Sequence, residues 1–220
     1  MEFTPVAILA ILSGGMALGS ALVAYWRIVG PGFVWLGAAT IALMGAATAA
    51  AGGGAVAVGA SVAAAAALFF GKSQLKATAL FGVATIGFVG VAASNGTAVA
   101  AVTGTIFLGG IVSEMLLGHW YLVDPQLPRW ALQRLALLGG IGLVADTLFV
   151  VAGASDFMAD PFLGYAFVAL SAMTGLLVLG VWFSLKEPNY TGVMAATGLS
   201  YLAVLTALGS SVVGRIIVTG

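Results

Sequence analysis

The chain has no cysteine, a single histidine and only 6% charged residues among its 220. Without cysteine there is no disulfide framework, no thiolate chemistry and no iron–sulfur ligation. One histidine, His119, cannot ligate a haem on both faces. The sequence also lacks HExxH, GxSxG, a Walker A loop, CxxCH and any clustered set of carboxylates. Those absences set aside autonomous hydrolysis, ATP chemistry and covalent c-type haem. A soluble domain carries about 25% charged residues, so this composition leaves too little polar surface for one. The formal net charge of +0 gives nucleic acid nothing to hold.

Hydrophobic residues, by contrast, make up 62% of the chain, and the mean hydropathy is +1.18. They fall in runs of 16 to 24 separated by glycine, proline or charge. A bilayer-crossing helix needs about 20 such residues, whereas a barrel strand needs about 10 with alternation. The runs therefore predict an all-α, polytopic bundle in a bacterial or archaeal cell membrane. About eight spans are expected, at 4–26, 31–51, 54–70, 77–93, 97–122, 131–152, 162–185 and 190–213. The N-terminal run lacks the positive start of a signal peptide and is long enough to cross by itself, so it reads as the first span.

Gly52-Gly53-Gly54 predicts a tight hairpin after span 2, and Ser94-Asn95-Gly96 a turn between spans 4 and 5. If the helices alternate, Arg27, Lys72, Lys76, Arg129, Arg134 and Lys186 share one side and Arg215 lies toward the other. Short cytoplasmic loops carry the Lys/Arg excess, so both termini are expected outside. Asp156 and Asp160 then share an outer loop. Trp26, Trp35, Trp120, Trp130 and Trp182 all map near the inner boundary, where an indole N–H stays wet while the ring packs against lipid.

The 32 glycines allow close helix packing, which is what holds helices together where lipid removes the hydrophobic drive. Gly15 and Gly19 form a GxxxG pair read as an intrachain seam, and Gly110 and Gly118 flank Glu114 on one expected face. No duplication is visible by eye. The chain reads as one membrane domain, 1–220, with a packing half, 1–95, and a polar-site half, 96–220, that holds Glu114, His119, Asp146 and Arg215.

Glu114 lies about three quarters of the way along span 5 toward the inner face. Buried there it needs a proton, a cation or a hydrogen-bond partner, the choices being His119, Arg129, Arg134 or a neighbouring hydroxyl. His119 follows five residues later, roughly 140° around the helix, so the two do not share a face. Both are candidate proton-path groups, with His119 also a candidate carrier contact. Asp146 in span 6 and Arg215 in span 8 lie at compatible depth for a pair. That pair could orient a carrier's carbonyl, bind an anionic solute or simply staple span 8, and Tyr201 is expected to line the same outer cavity.

The span count, the outside termini and Gly214-Arg215 in SSVVGRIIVTG resemble the membrane-anchor subunits of the polysulfide and dimethyl-sulfoxide reductase class. Ser211 stands where that family carries an acid. The GHWYLVDP segment is similar to stretches of uncharacterised bacterial membrane proteins. The resemblance implies a quinone as bound carrier and an iron–sulfur electron-transfer subunit as partner, with Asp146, Tyr201, Arg215 and His119 as carrier contacts. Three readings stay open. They are a quinone-handling subunit of an energy-conserving complex that is not catalytic alone, a proton-coupled small-solute transporter or channel, and a structural assembly subunit.

Overall fold

The computed structural model describes residues 5–154 and 157–219. Among them are eight α-helices and no strand: α1 Pro5–Trp26, α2 Pro31–Thr48, α3 Gly54–Ala66, α4 Gln74–Ser94, α5 Ala98–Trp120, α6 Arg129–Gly153, α7 Pro161–Ser184 and α8 Tyr190–Thr219. Seven helical stretches are long and apolar enough to cross a membrane. One of them, Pro31–Phe70, runs 40 residues and contains both α2 and α3.

That long stretch is not straight. Wide π-type turns over Ala49–Gly53 end α2, and Gly52 and Gly54 take φ of +111° and +64°, which a side chain would oppose. The chain reverses there, and a shallow groove is lined by Ala42, Ala46 and Ala49 on one arm and Val58, Val62 and Ala65 on the other. The three-glycine hairpin is thus where the sequence placed it. A single 3₁₀ turn, Ala67–Phe70, closes α3.

Helix starts follow local chemistry. Pro31 and Pro161 occupy first-turn positions, where a missing N–H costs nothing. Thr97 caps α5 by accepting from Ala100 N at 3.1 Å. Asp160 caps α7 by accepting from Phe162 N and Leu163 N at 3.0 and 3.3 Å. Its expected loop companion, Asp156, lies outside the described residues. α1 stops at Arg27, whose φ of +55° is unusual for a residue other than glycine.

The helices pack as two four-helix bundles, α1–α4 and α5–α8, each with every helix touching the next and the fourth closing on the first. The bundles join mainly along α1 and α5, where a Cβ on Gly15 would lie 2.7 Å from Gly109 N. Gly19 faces Ser113 on the same seam, so the GxxxG pair is an internal contact between bundles. Gly110 and Gly118 correct the single-face expectation: Gly110 meets Gly139 of α6, whereas Gly118 meets Thr197 of α8.

One end of the assembly gathers the basic loops. Gln74 Nε2 donates to Val29 O at 2.6 Å, and Arg129 donates to the carbonyls of Glu187, Pro188 and Asn189, at 2.7 Å for Pro188 and 3.1 Å for Asn189. Trp26 meets Trp130 edge-on with ring centres 5.2 Å apart, and the Arg134 guanidinium lies 4.5 Å from the Trp130 ring. Phe33 and Trp120 repeat the edge-on contact at 5.8 Å. These contacts fasten helix ends that the sequence places many residues apart. The opposite end brings together Gly52 with Val6 and Gly153 with Val218.

Candidate functional site

The intramembrane charges form two separate centres, both in the second bundle. The first sits toward the end that carries the termini. Arg215 of α8 points its guanidinium at Asp146 of α6, donating from Nη1 to Oδ2 at 3.0 Å and from Nη2 to Oδ1 at 2.7 Å. Nη2 also donates to Ala100 O at 2.9 Å, and Thr103 Oγ1 donates to Asp146 Oδ1 at 2.6 Å. The planar guanidinium matches a carboxylate with two parallel bonds, which a lysine could not do.

The pair is deeply buried, with Asp146 2% and Arg215 6% exposed. Room for it comes from Gly104, where a Cβ would lie 2.6 Å from Arg215 Nη2. The Phe149 ring covers the guanidinium at 5.6 Å. Three helices, α5, α6 and α8, therefore meet on one ion pair, the one salt bridge among the described residues. Of the pair's own polar atoms, Arg215 Nε alone is left without a hydrogen-bond partner. Arranged like this, the pair is a closed lock with neither carboxylate oxygen facing open space.

The second centre lies toward the basic end. Glu114 of α5 is 2% exposed, and its Oε2 meets the Ser200 hydroxyl of α8. Oε1 has no hydrogen-bond partner, and no basic side chain pairs with the carboxyl. Of the partners open from sequence, the structure uses a hydroxyl. Arg129 is instead engaged with the α7–α8 loop and Arg134 with Trp130. Ser200 also lies 2.8 Å from Ala196 O, its own helix's carbonyl.

The next residue on α8, Tyr201, reaches the other way. Its hydroxyl lies 3.1 Å from His119 Nδ1, and both residues are exposed on the bundle surface. Helical side chains lean toward their own N-terminus. Because α5 and α8 run antiparallel, His119 leans away from the basic end and Tyr201 toward it, so they meet. The sequence expectation for Tyr201 is corrected here: it bonds His119 on the bundle surface and does not line a cavity with Asp146 and Arg215. Glu114 and His119 do occupy different faces of α5, one buried and one exposed, as their spacing requires.

Fifteen residues of α8 separate Ser200 from Arg215, about 22 Å of helix. Phe107, Leu108, Ile111, Ala203 and Ala207 fill the space between as one apolar cluster. Among the described residues no hydrogen bond joins one centre to the other, and the hydroxyls between them on α8, Thr206 and Ser210, bond to α7 instead. A groove of about 400 Å³ opens between α6 and α7, lined by Leu148, Val151, Phe167 and Val168 among others, and neither Asp146 nor Arg215 lines it. Among the described residues no group of three or more His, Cys, Asp or Glu side chains could hold a metal ion.

Three participants were not singled out by the sequence: Thr103, Ser200 and the carbonyl of Ala100. Hydroxyls in an apolar helix ordinarily bond their own backbone, so Ser200 carried no signal by type. A signal was available in position, since Thr197, Ser200, Ser211 and Arg215 share one face of α8 at helical spacing. No family model, no curated protein and no solved structure significantly matches this chain.

Proposed function

We propose that the chain crosses a cell membrane eight times with both termini outside, and that it handles a lipophilic carrier and its protons at the Glu114–Ser200–Tyr201–His119 centre. The crossing number rests on the reversal at Gly52, which makes two antiparallel helices of the Pro31–Phe70 stretch. The orientation rests on the gathering of Arg27, Lys72, Lys76, Arg129, Arg134 and Lys186 at one end.

One observation carries the functional reading: consecutive residues of α8 hold a buried carboxyl on one side and an exposed His–Tyr pair on the other. The pair stands exposed in the last turn of α5 beside Trp120, at the boundary depth where the polar head of a bilayer-dissolved carrier sits. A quinone-class carrier dissolved in the bilayer has carbonyl oxygens that accept from an imidazole N–H or a phenol O–H. Glu114 supplies the proton-holding group behind the pair. The Ser200 hydroxyl has one hydrogen and two acceptors, Ala196 O and Glu114 Oε2, and a proton on Glu114 satisfies both contacts. The Asp146–Arg215 pair has the separate task of fixing α8 against α5 and α6. An electron-transfer subunit docked on the chain would supply the redox centre that the chain lacks.

Titrating the purified protein in lipid nanodiscs with a short-chain benzoquinone tests this. Wild type binds saturably, and His119→Ala or Tyr201→Phe weakens binding on the order of tenfold, the worth of one hydrogen bond. Absence of saturable binding to wild type, or equal binding by all three proteins, refutes the carrier reading. The lack of a counter-ion at Glu114 favours proton-coupled solute transport as the second reading. That reading gains if wild type binds no benzoquinone, yet Glu114→Gln abolishes pH-gradient-driven solute uptake in vesicles.

A further inference from the structure

Within the second bundle the four seams are unequal. Between α5 and α6 the backbones touch: Gly110 faces Gly139 and Gly142 faces Phe107, with no room for a Cβ. Between α7 and α8, Ser171 and Ser210 hydroxyls lie 2.7 Å apart, and Thr174 Oγ1 donates to Thr206 Oγ1 at 2.8 Å. The glycines on the α6–α7 seam are looser, with a Cβ on Gly140 3.7 Å from Val178 and one on Gly175 3.6 Å from Leu143. The bundle is thus two tight hairpins, α5–α6 and α7–α8, leaning on each other.

The lean differs along its length. Near the basic end, Leu127, Leu132 and Leu135 of the α6 side pack with Val181, Leu185 and Val193 of the other hairpin in one buried cluster. Arg129 adds its bonds to the α7–α8 loop. Toward the opposite end the α6–α7 seam opens into the groove of about 400 Å³, and the apolar packing between the hairpins narrows to contacts such as that of Gly214 of α8, where a Cβ would lie 2.8 Å from Val150 of α6. Over that half, Arg215 supplies polar bonds that join the hairpins, to Asp146 and to Ala100 O.

We propose that this half is a hinged clamp: the α7–α8 hairpin swings away from α6 along the groove, pivots on the packed basic end, and is held shut by the Arg215–Asp146 latch. Opening draws Arg215 from between Ala100 and Asp146 and turns the groove into an entrance from the membrane side. Thr103, on the α5–α6 hairpin with Asp146, stays with the carboxylate and keeps it oriented for reclosure. The device stands on packing and bonding alone and is independent of the carrier reading.

The absence of cysteine makes the test direct. Spin labels on Leu148→Cys and Val168→Cys, both lining the groove, report the opening by pulsed electron paramagnetic resonance in nanodiscs. Labels on Val102→Cys and Leu148→Cys report the α5–α6 hairpin as an internal reference. With the latch intact the groove distance has one narrow population. Asp146→Asn and Arg215→Lys add a population several ångströms longer, while the reference distance stays fixed. Thr103→Val, which leaves the ion pair in place, adds a smaller share of the long population and covers the case in which the charge variants do not fold. An unchanged groove distance in every variant that folds overturns the clamp. An equal change in the reference pair also overturns it, because the hairpin would then not be rigid.

Discussion

The two four-helix bundles share a packing order and differ in what fills the seam between their first and last helices. In the first bundle Phe88 of α4 lies against Gly14 of α1, where a Cβ would come within 3.2 Å of the Phe88 Cβ. In the second bundle Arg215 of α8 lies against Gly104 of α5. Each uses a glycine on the first helix to receive a large side chain from the fourth. In the first, the Phe88 Cβ meets Gly14 and the phenyl ring runs on to Gly45 of α2, where a Cβ would lie 2.5 Å from its Cζ, and it asks nothing further. The other receives a cation, and its burial recruits Asp146, Thr103 and the Ala100 carbonyl.

The consequence is a difference in tolerance. Apolar filling among alanines and glycines needs only shape, and the first bundle's buried cross-helix polar contact is modest: Ser13 and Thr48 hydroxyls 3.1 Å apart, each also bonded to its own helix. A buried ion pair is all or nothing, since losing one partner strands the other in a dry site. The second bundle is therefore the more specified and the more fragile, and it is the one that contains both polar centres.

The sharpest way to break this comparison is to turn one bundle into the other. Asp146→Ala should cost about 3–5 kcal/mol by leaving Arg215 unpaired, read as a large fall in Tm of the purified protein. Asp146→Leu combined with Arg215→Met should be neutral, or even stabilising by about 1–4 kcal/mol. If the double variant falls as far as the single one, the pair contributes more than the phenyl ring does and the equivalence fails.

A smaller effect sharpens the role of the joint between bundles. Gly15→Val places its side chain against the Gly109 backbone, which cannot yield as a side chain can, and should cost about 1–3 kcal/mol in thermal unfolding. Gly59→Val is the control, because nothing lies within 4 Å of its Cβ position. Equal losses at the two sites would mean that the close approach at Gly15 is not what holds the bundles together. The smallest effect belongs to Ser13→Ala, which should cost about 0.6 kcal/mol, the average for an interhelical hydrogen bond in a membrane. A loss comparable to that of Asp146→Ala would show that the first bundle too depends on a polar lock.

Much of this architecture was legible because it is local. Gln74–Ser94 and Ala98–Trp120 follow from apolar runs interrupted by Ser94-Asn95-Gly96, with Thr97 ready to cap. The pairing of Asp146 with Arg215 was accessible from depth alone, because two isolated charges at one level have few other partners. Tyr201 shows where that reasoning stops. It lies on the helix of Arg215, but its position around the axis and its lean toward the N-terminus carry it to His119. Ser200 went unread because a hydroxyl that can bond its own carbonyl gives no sign of a second partner.

By itself, the sequence determined that the chain is helical, roughly where the helices lie, which loops carry charge and which half holds the ionisable groups; it ended the last span at 213, whereas α8 continues to Thr219, and it began the fourth at 77, whereas α4 starts at Gln74. All of these follow from hydrophobic run length, from glycine and proline, and from residues within a few positions of one another. The tertiary structure alone decided that there are two separate polar centres, that Glu114 meets Ser200, that Tyr201 meets His119, and that α6 and α7 leave a groove between them. Those outcomes depend on the rotation and approach of helices up to 115 residues apart in the chain, set by how glycine-lined surfaces fit together, and no single helix carries that fit.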